Sequence, residues 1–144
     1  MKLLLVFLIL TRAAYGQVAS APTEIHYSAS GIYLVIMQDT VEKSRKPMGK
    51  DVSITYDTFF KSYNIYYKDE DGKLNLFKLT YLGDQPNDRG VPEYKMKDGL
   101  DVEYLVLDML YTGQLKMLLL KDYPGERFAW IRIEGAKLTK IPTR

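Results

Sequence analysis

The feature of this sequence that most constrains its fold is a two-residue alternation of apolar and polar side chains between residues 52 and 68. Apolar residues occupy every second position in residues 52–57, and residues 63–68 repeat the pattern with Tyr63, Ile65 and Tyr67. A period of two is that of a β-strand with one buried and one solvated face. The acidic segment that follows ends at Gly72, which accepts a positive φ. The pattern therefore predicts two-faced strands with a tight hairpin after the second.

Further short apolar runs cover most of the remaining chain. They lie at residues 32–37, 73–82, 102–111, 115–121 and 128–134. We interpret the polar, basic residues 38–50 as a loop. Residues 83–99, rich in glycine and proline, form a long break of the kind that serves as a lid or rim.

Two of these runs allow a second interpretation. In residues 73–82 the apolar positions change face, so we expect either a β-bulge near Leu76 and Phe77 or a strand buried on both faces. Residues 101–120 have partly helical spacing. Gly113 in their middle disfavours one long helix and favours two strands.

The number and spacing of these runs predict the fold class. Short links between consecutive strands give antiparallel neighbours. We therefore expect an all-β domain, an antiparallel up-and-down meander of about seven strands that closes into a barrel or folds over as a sandwich.

The N-terminus has the layout of an export signal. Lys2 precedes an apolar core, Leu3–Leu10, and Ala14 and Gly16 occupy the small positions of a cleavage site. We expect a signal peptide at residues 1–16, a loose segment at 17–31 and a single β domain at 32–144. The apolar core is too short to span a membrane, so the sequence predicts a protein exported to the periplasm or secreted.

Charge and composition argue against several classes of function. The chain has 20 basic and 18 acidic residues, and loss of Lys2 and Arg12 with the signal makes the two numbers equal. Nucleic-acid binding needs clustered positive charge, so we expect no nucleic-acid partner. The common zinc sites need several Cys or His ligands. With no cysteine and one histidine, His26, which we interpret as a surface or edge-strand residue, we expect no metal and no cofactor.

Two isolated charges inside apolar runs are the candidate ligand anchors, Asp108 and Arg132. Buried carboxylates need partners and concentrate at functional sites, so an Asp108–Arg132 pair inside a barrel would anchor a ligand. The alternative is that Asp108 faces water on an alternating strand. Aromatic rings can stack on a planar ligand, although they more often form core or cross-strand pairs. The further candidate ligand-binding residues are Trp130, Tyr104 and Tyr66.

The predicted strands, short turns and export signal resemble the small lipocalin-like barrels, and the signal itself resembles those of Bacteroidetes-type bacteria. Lipocalins carry a Gly-x-Trp signature, but here Gly31 is followed by Ile32 and Tyr33, so no family binding residue is assigned. The resemblance implies a ligand cavity.

Three hypotheses about function follow. The first is a non-catalytic exported module that binds a small apolar or aromatic ligand in a barrel cavity. The alternatives are a structural or protein-interaction domain with a filled core and, third, a carboxylate-based hydrolase. The sequence leaves the oligomeric state open.

Overall fold

A computed structural model describes residues 24–88, 90–122 and 125–140, which form one antiparallel β-sheet with two short 3₁₀ turns, Leu110–Thr112 and Leu120–Asp122. The strands are β1 Glu24–Gln38, β2 Val41–Asp57, β3 Ser62–Lys68, β4 Leu74–Asp84, β5 Glu93–Lys97, β6 Glu103–Met109, β7 Gln114–Leu119, β8 Arg127–Glu134 and β9 Lys137–Lys140. Among the described residues, no helix is long and apolar enough to cross a membrane. The predicted signal peptide, residues 1–16, lies outside the described part of the chain.

The sheet closes on itself because β1 pairs along both of its edges. Consecutive strands from β1 to β8 are neighbours, and β1 also pairs with β8 over Gly31–Gln38. Beyond β8, β9 continues along the same edge and pairs with β1 near Tyr27. The predicted all-β, antiparallel up-and-down meander is confirmed, and it closes as an eight-stranded barrel.

One face of each barrel strand fills the interior. Ile54 is the register partner of Ile65, and Ile32 is the partner of Ile133. All four side chains are 0 % exposed. A side chain with no accessible surface has no water-sized void against it, so the central layers of the barrel are packed at the density of a protein core.

The two-residue alternation correctly predicted β3 and the C-terminal half of β2, whose apolar residues face the interior. The predicted hairpin joins β3 to β4, with Gly72 at φ 77°. Residues 101–120 form two strands, β6 and β7, as the sequence favoured. The 3₁₀ turn between them ends at Gly113, whose φ of 91° suits glycine.

Three segments differ from the sequence prediction. β1 begins at Glu24, inside the segment 17–31 predicted to be loose, β2 begins inside the predicted loop 38–50, and β5 lies in the predicted break 83–99. The first part of β2 pairs with β1 through its backbone while its polar side chains stay in solvent, which hides the strand in the sequence. The described chain therefore has nine strands, more than the sequence predicted.

The bulge predicted near Leu76 and Phe77 is absent, and the register shift of β4 lies further on, between Tyr81 and Gly83 in its pairing with β5. The register of β4 with β3 runs without a shift from Leu74 to Leu79. Leu74 and Leu76 point outward and are exposed, whereas Leu79 is buried. The change of face in the apolar pattern thus reflects outward-facing leucines and not an irregular backbone.

The two ends of the barrel carry different connections. One end, here called the tyrosine end, has the turn 58–61, the loop 85–92 and the 3₁₀ turn after β6. The opposite end, here called the hairpin end, has the β1–β2 turn at 39–40 and the β3–β4 turn at 69–73. Most of the long break noted in the sequence therefore belongs to the tyrosine end.

We predict that Ile65→Ala lowers the free energy of unfolding by about 2–5 kcal/mol, because a packed interior leaves the new cavity unfilled. Urea denaturation followed by the fluorescence of Trp130 measures this loss. The control is Leu76→Ala, whose side chain is 53 % exposed; it should change the free energy by less than about 0.5 kcal/mol. Equal losses in the two variants would contradict a packed interior around Ile65.

Candidate functional site at the tyrosine end of the barrel

Asp108 on β6 lies inside the barrel near the tyrosine end. Its register partner on β7 is Leu115, a fully buried core residue. The Tyr63 hydroxyl donates a hydrogen bond of 2.6 Å to Asp108 Oδ2, and the Leu110 backbone N–H donates one of 3.0 Å to Oδ1. A bond of 2.6 Å has the length of a strong, charge-assisted hydrogen bond. Within the described residues, no ion pair joins Asp108 to a cationic side chain.

Tyrosines from β1, β2, β3 and β5 lie close enough to this carboxylate for its charge to affect their pKa values. Burial, with a contribution from the charge of Asp108, raises the pKa of Tyr27 and Tyr94 above the ordinary value. Burial likewise raises the pKa of Tyr56, to about 12. For Tyr63 burial is again the largest cause of a raised pKa, followed by the charge of Asp108 and the hydrogen bond to it. These hydroxyls stay protonated at neutral pH, and that of Tyr63 donates a hydrogen bond.

The antiparallel order of the strands explains why these tyrosines meet. Odd-numbered strands begin, and even-numbered strands finish, at the tyrosine end. Tyr56 near the end of β2 and Tyr63 near the start of β3 are register partners, and their rings stack at 4.7 Å. After burial, the proximity of Tyr94 on β5 is the next cause of the raised pKa of Tyr56. Tyr27, Tyr56 and Tyr94 remain half-buried, so this end of the interior is open to solvent while the centre is closed.

A lysine ammonium lies over the aromatic rings of two tyrosines at this end, Tyr81 and Tyr94. Lys61 Nζ is 4.8 Å from the ring centroid of Tyr81 and 6.0 Å from that of Tyr94. Both distances fall in the range of cation–π attraction. The same nitrogen is 3.7 Å from Asp84 Oδ1, which also accepts a 2.8 Å hydrogen bond from the Tyr81 hydroxyl. The ring faces at this end therefore already hold an organic cation that belongs to the chain itself.

An open cleft of about 390 Å³ lies beside Lys61. It is lined by the start of the loop 85–92, by Asp84, and by Pro92, Glu93 and Tyr94. Asp84 and Glu93 give the cleft an acidic lining. Tyr94 also lines the cleft, and it is one of the tyrosines near Asp108.

Three large aromatic side chains project from the same end. Phe59 and Phe60 on the turn 58–61 are 76 % and 68 % exposed, and Tyr111 on the 3₁₀ turn is 75 % exposed. The Asp57 carboxylate accepts hydrogen bonds from the backbone N–H groups of both phenylalanines, which fixes the turn. The tyrosine end therefore has an aromatic rim in addition to its aromatic interior.

The structure separates the two predicted anchors. Asp108 faces the interior, so the expectation that it faces water on an alternating strand is wrong. Arg132 lies on the outer face of β8, because Ile131 and Ile133 on either side of it face the core. The predicted Asp108–Arg132 pair is therefore not formed. Trp130 lies on the same outer face as Arg132.

Arg132 takes part in a charge network outside the barrel. Arg45 on β2 bonds to Glu42 and to Glu134, both at 3.0 Å. Arg132 lies 3.7 Å from Glu42 and 3.6 Å from Glu134. These contacts cross β1 and join its two neighbours, β2 and β8. The Arg132 Nε is buried without a hydrogen-bond partner among the described residues.

The two predicted tyrosines lie elsewhere. Tyr104 faces inward at the hairpin end, where its hydroxyl donates a hydrogen bond of 2.9 Å to Asp98. Tyr66 faces outward on β3 and is 36 % exposed. Of the five candidates, only Asp108 faces the barrel interior at the tyrosine end.

Sequence reasoning missed the residues that surround Asp108. The alternation placed Tyr56 and Tyr63 on the apolar face of their strands, and that was the available signal. Tyr27 and Tyr94 lie in segments interpreted as loose or as a break, so their direction could not be assigned. The role of Lys61 depends on cross-strand geometry that no local pattern encodes.

Comparisons with protein-family models, with curated proteins and with solved structures find no match for this chain. Its function is therefore inferred from the chemistry of its own residues.

We predict that Tyr63→Phe lowers the free energy of unfolding by about 1.5–3 kcal/mol, the cost of losing a buried hydrogen bond to a charged group. The change leaves the ring in place, so packing is conserved. Tyr66→Phe, on the exposed face of the same strand, should change the free energy by less than about 0.5 kcal/mol. Equal stability of both variants in urea denaturation would mean that the Tyr63–Asp108 bond contributes nothing.

We also predict that Tyr56→Phe flattens the loss of stability at alkaline pH. The pKa of Tyr56 is about 12 in the folded protein, against about 10 in an unfolded chain. The unfolded chain releases the proton first, so the stabilisation is complete below pH ~10 and is lost as the pH approaches ~12. Unfolding free energies measured across this range should fall less steeply in the variant. A common offset with parallel slopes would indicate a packing effect alone.

Proposed function

We propose that the protein is an exported, non-catalytic barrel module that binds a small ligand at the tyrosine end. The ligand has an apolar or aromatic body and one cationic or hydrogen-bond-donating group. The observation that carries the proposal is Asp108, an inward carboxylate supported by Tyr63 and the Leu110 amide, in a half-open ring of tyrosines. The proposal that the protein is exported rests on the sequence pattern of residues 1–16.

Burial favours the end of the barrel over its centre as the proposed ligand site. The central side chains have no accessible surface, which leaves no room for the interior cavity first hypothesised. Tyr27, Tyr56 and Tyr94 each retain accessible surface. A small molecule could thus lie over their rings and reach Asp108, with the cleft beside Lys61 extending the same surface.

The chemistry of this end favours a cationic group. Aromatic faces next to a carboxylate are the usual surroundings of a bound organic ammonium. The position of Lys61 supports this, because its ammonium lies over Tyr81 and Tyr94 and beside Asp84. A ligand cation at Asp108 would meet the same combination of ring face and carboxylate.

The carboxylate-based hydrolase is less well supported. It needs an acid and a base that face each other across a substrate. The groups around Asp108 are tyrosines with raised pKa values, which favours hydrogen bonding over base catalysis.

The filled-core alternative, a structural or protein-interaction domain, is supported by the packed centre of the barrel. Under this alternative the Tyr63–Asp108 bond serves stability alone. Native mass spectrometry of protein purified from its source separates the two, since a bound small molecule supports the ligand proposal and consistent absence of an adduct supports the filled core.

We predict that choline binds at the tyrosine end more tightly than its neutral isostere, in which carbon replaces the quaternary nitrogen. The two probes share shape, so the difference reports the charge. Heteronuclear NMR titration should show shifts at the amides of Leu110, Tyr94 and Lys61. Asp108→Asn should weaken choline binding by roughly tenfold, equivalent to about 1.4 kcal/mol.

The matched control is Asp71→Asn at the hairpin end, which removes one negative charge far from the site. Equal binding of choline and the isostere would remove the cationic group from the proposal. Shifts that survive unchanged in Asp108→Asn would remove Asp108 as the anchor. Absence of shifts with both probes would favour the filled-core alternative.

A further inference from the structure

Glu93, the first residue of β5, has a buried acidic side chain. It is 7 % exposed, and in the described part of the chain it is the only acidic or basic residue that is buried. Its carboxylate forms no hydrogen bond and no ion pair within the described residues. Burying a carboxylate without a partner is unfavourable, and such a group in a folded protein calls for an explanation.

The carboxylates of Glu93 and Asp108 lie on opposite faces of the sheet. Tyr94, the next residue of β5, packs against the core, and successive side chains of a strand point to opposite faces. Glu93 therefore lies on the outer face, as does its register partner Leu107 on β6. Asp108 follows Leu107 and points inward to Tyr63. The wall of the barrel thus separates the two carboxylates.

The loop 85–92 forms a cleft around Glu93. The Gln85 backbone N–H donates a hydrogen bond of 2.9 Å to the Glu93 carbonyl, which joins the two ends of the loop. The Asn87 side chain donates one of 2.9 Å to the Val91 carbonyl inside the loop. The cleft that Glu93 lines has a volume of about 390 Å³, which is within the range of small-molecule sites.

The charges that line this cleft do not balance. They are Lys61, Asp84 and Glu93. The Lys61 ammonium lies 3.7 Å from Asp84 and forms no ion pair with Glu93. One carboxylate in the cleft is therefore left without a counter-charge, and the unpaired group is the buried one. This arrangement favours an occupant with a single positive charge.

The other lining residues favour an organic cation over a metal ion. The Lys61 ammonium already lies over the ring of Tyr94, 6.0 Å from its centroid, and Tyr94, Pro86 and Pro92 offer apolar surface beside Glu93. A calcium ion takes six to eight oxygen ligands, several of them from carboxylates. Within the described residues, no group of three His, Cys, Asp or Glu side chains is placed to hold a metal ion.

We infer that this cleft is a second binding site, which binds the ammonium group of a small aliphatic amine through the carboxylate of Glu93. The hydrocarbon part of the amine lies against Pro86, Pro92 and the ring of Tyr94. Lys61 opposes the ligand, because its positive charge lines the same cleft. The site is separate from Asp108 and does not depend on the function proposed above.

The test is a heteronuclear NMR titration of the full-length protein with n-butylammonium. The backbone amides of Gln85 and Glu93 should shift with a saturable dependence on concentration. Butanol has the same hydrocarbon chain without the charge, and it should bind at least about tenfold more weakly.

One pair of variants locates the anchor. Glu93→Gln keeps the size of the side chain and removes its charge, so it should weaken butylammonium binding by roughly tenfold. The variant should be no less stable in urea, because the buried group is no longer ionised. The control is Glu103→Gln, which removes the same charge on β6 from a residue paired with Lys95 outside the cleft. It should leave the binding unchanged.

A second pair of variants tests the role of Lys61. Lys61→Gln should strengthen butylammonium binding by about threefold, the size of an interaction between partly exposed charges. Lys95→Gln removes the same charge outside the cleft and should have no effect. Opposite changes in Glu93→Gln and Lys61→Gln are the signature of charge, since a loss of packing would weaken binding in both.

The Leu110 amide keeps this test separate from that of the function proposed above, because it reports on Asp108. Shifts at Gln85 and Glu93 that disappear in Glu93→Gln, whatever happens at Leu110, support the second site. Shifts at Leu110 alone would overturn the second site and leave the proposed function intact.

Other results would also overturn the inference. Equal binding of butanol and butylammonium, equal weakening by Glu103→Gln, or no shift up to about 10 mM amine would each remove the ammonium site. Saturation of the same amides by calcium at a lower concentration than by butylammonium would assign the cleft to a metal ion. Tighter binding of Nα-acetyl-lysine methylamide than of butylammonium would replace the free amine by a lysine side chain of a partner protein.

Discussion

The pairing of β1 with β2 on one edge and with β8 on the other is the interaction on which this structure depends. Without the β1–β8 ladder, the meander would be an open sheet with two long edges and one bare apolar face. With it, the inward residues of eight strands meet across a common axis and exclude water. Ile32 illustrates the link, since it lies on the shared strand opposite Ile133 and is fully buried. The charge network of Arg45 and Arg132 with two glutamates spans the same seam from outside.

Closure also decides where chemistry can occur. A barrel whose central layers are filled has no site at its centre, so other molecules must contact its ends, its outer faces or an unpaired edge. The two ends differ in character. The tyrosine end offers protonated hydroxyls, ring faces and a carboxylate, whereas at the hairpin end the first part of β2 has no described strand on its second edge.

The sequence predicted the parts of the fold in which side chains alternate and failed where they do not. β3 and the second half of β2 are readable because every second residue is apolar. The first half of β2 is not, since its side chains are polar and its pairing is made by backbone alone. For Asp108 and Arg132 the difficulty is register. Ile131 and Ile133 imply that Arg132 lies on the opposite face to the core, but in β6 both faces are apolar, so the direction of Asp108 depends on its partners. The encounter of Asp108 with Tyr63, 45 positions earlier, is set by the whole meander and by no local pattern.

The seam between β1 and β8 has a consequence for the order of folding. The hydrogen bond from the Ser30 hydroxyl to the Glu134 carbonyl joins residues 104 positions apart, and contacts of that separation form late because a long loop must close first. The hairpins along the meander can form locally, but the cylinder cannot shut until nearly its last strand is present. We therefore expect the β1–β8 ladder to form after the local hairpins, as the last step in closing the sheet.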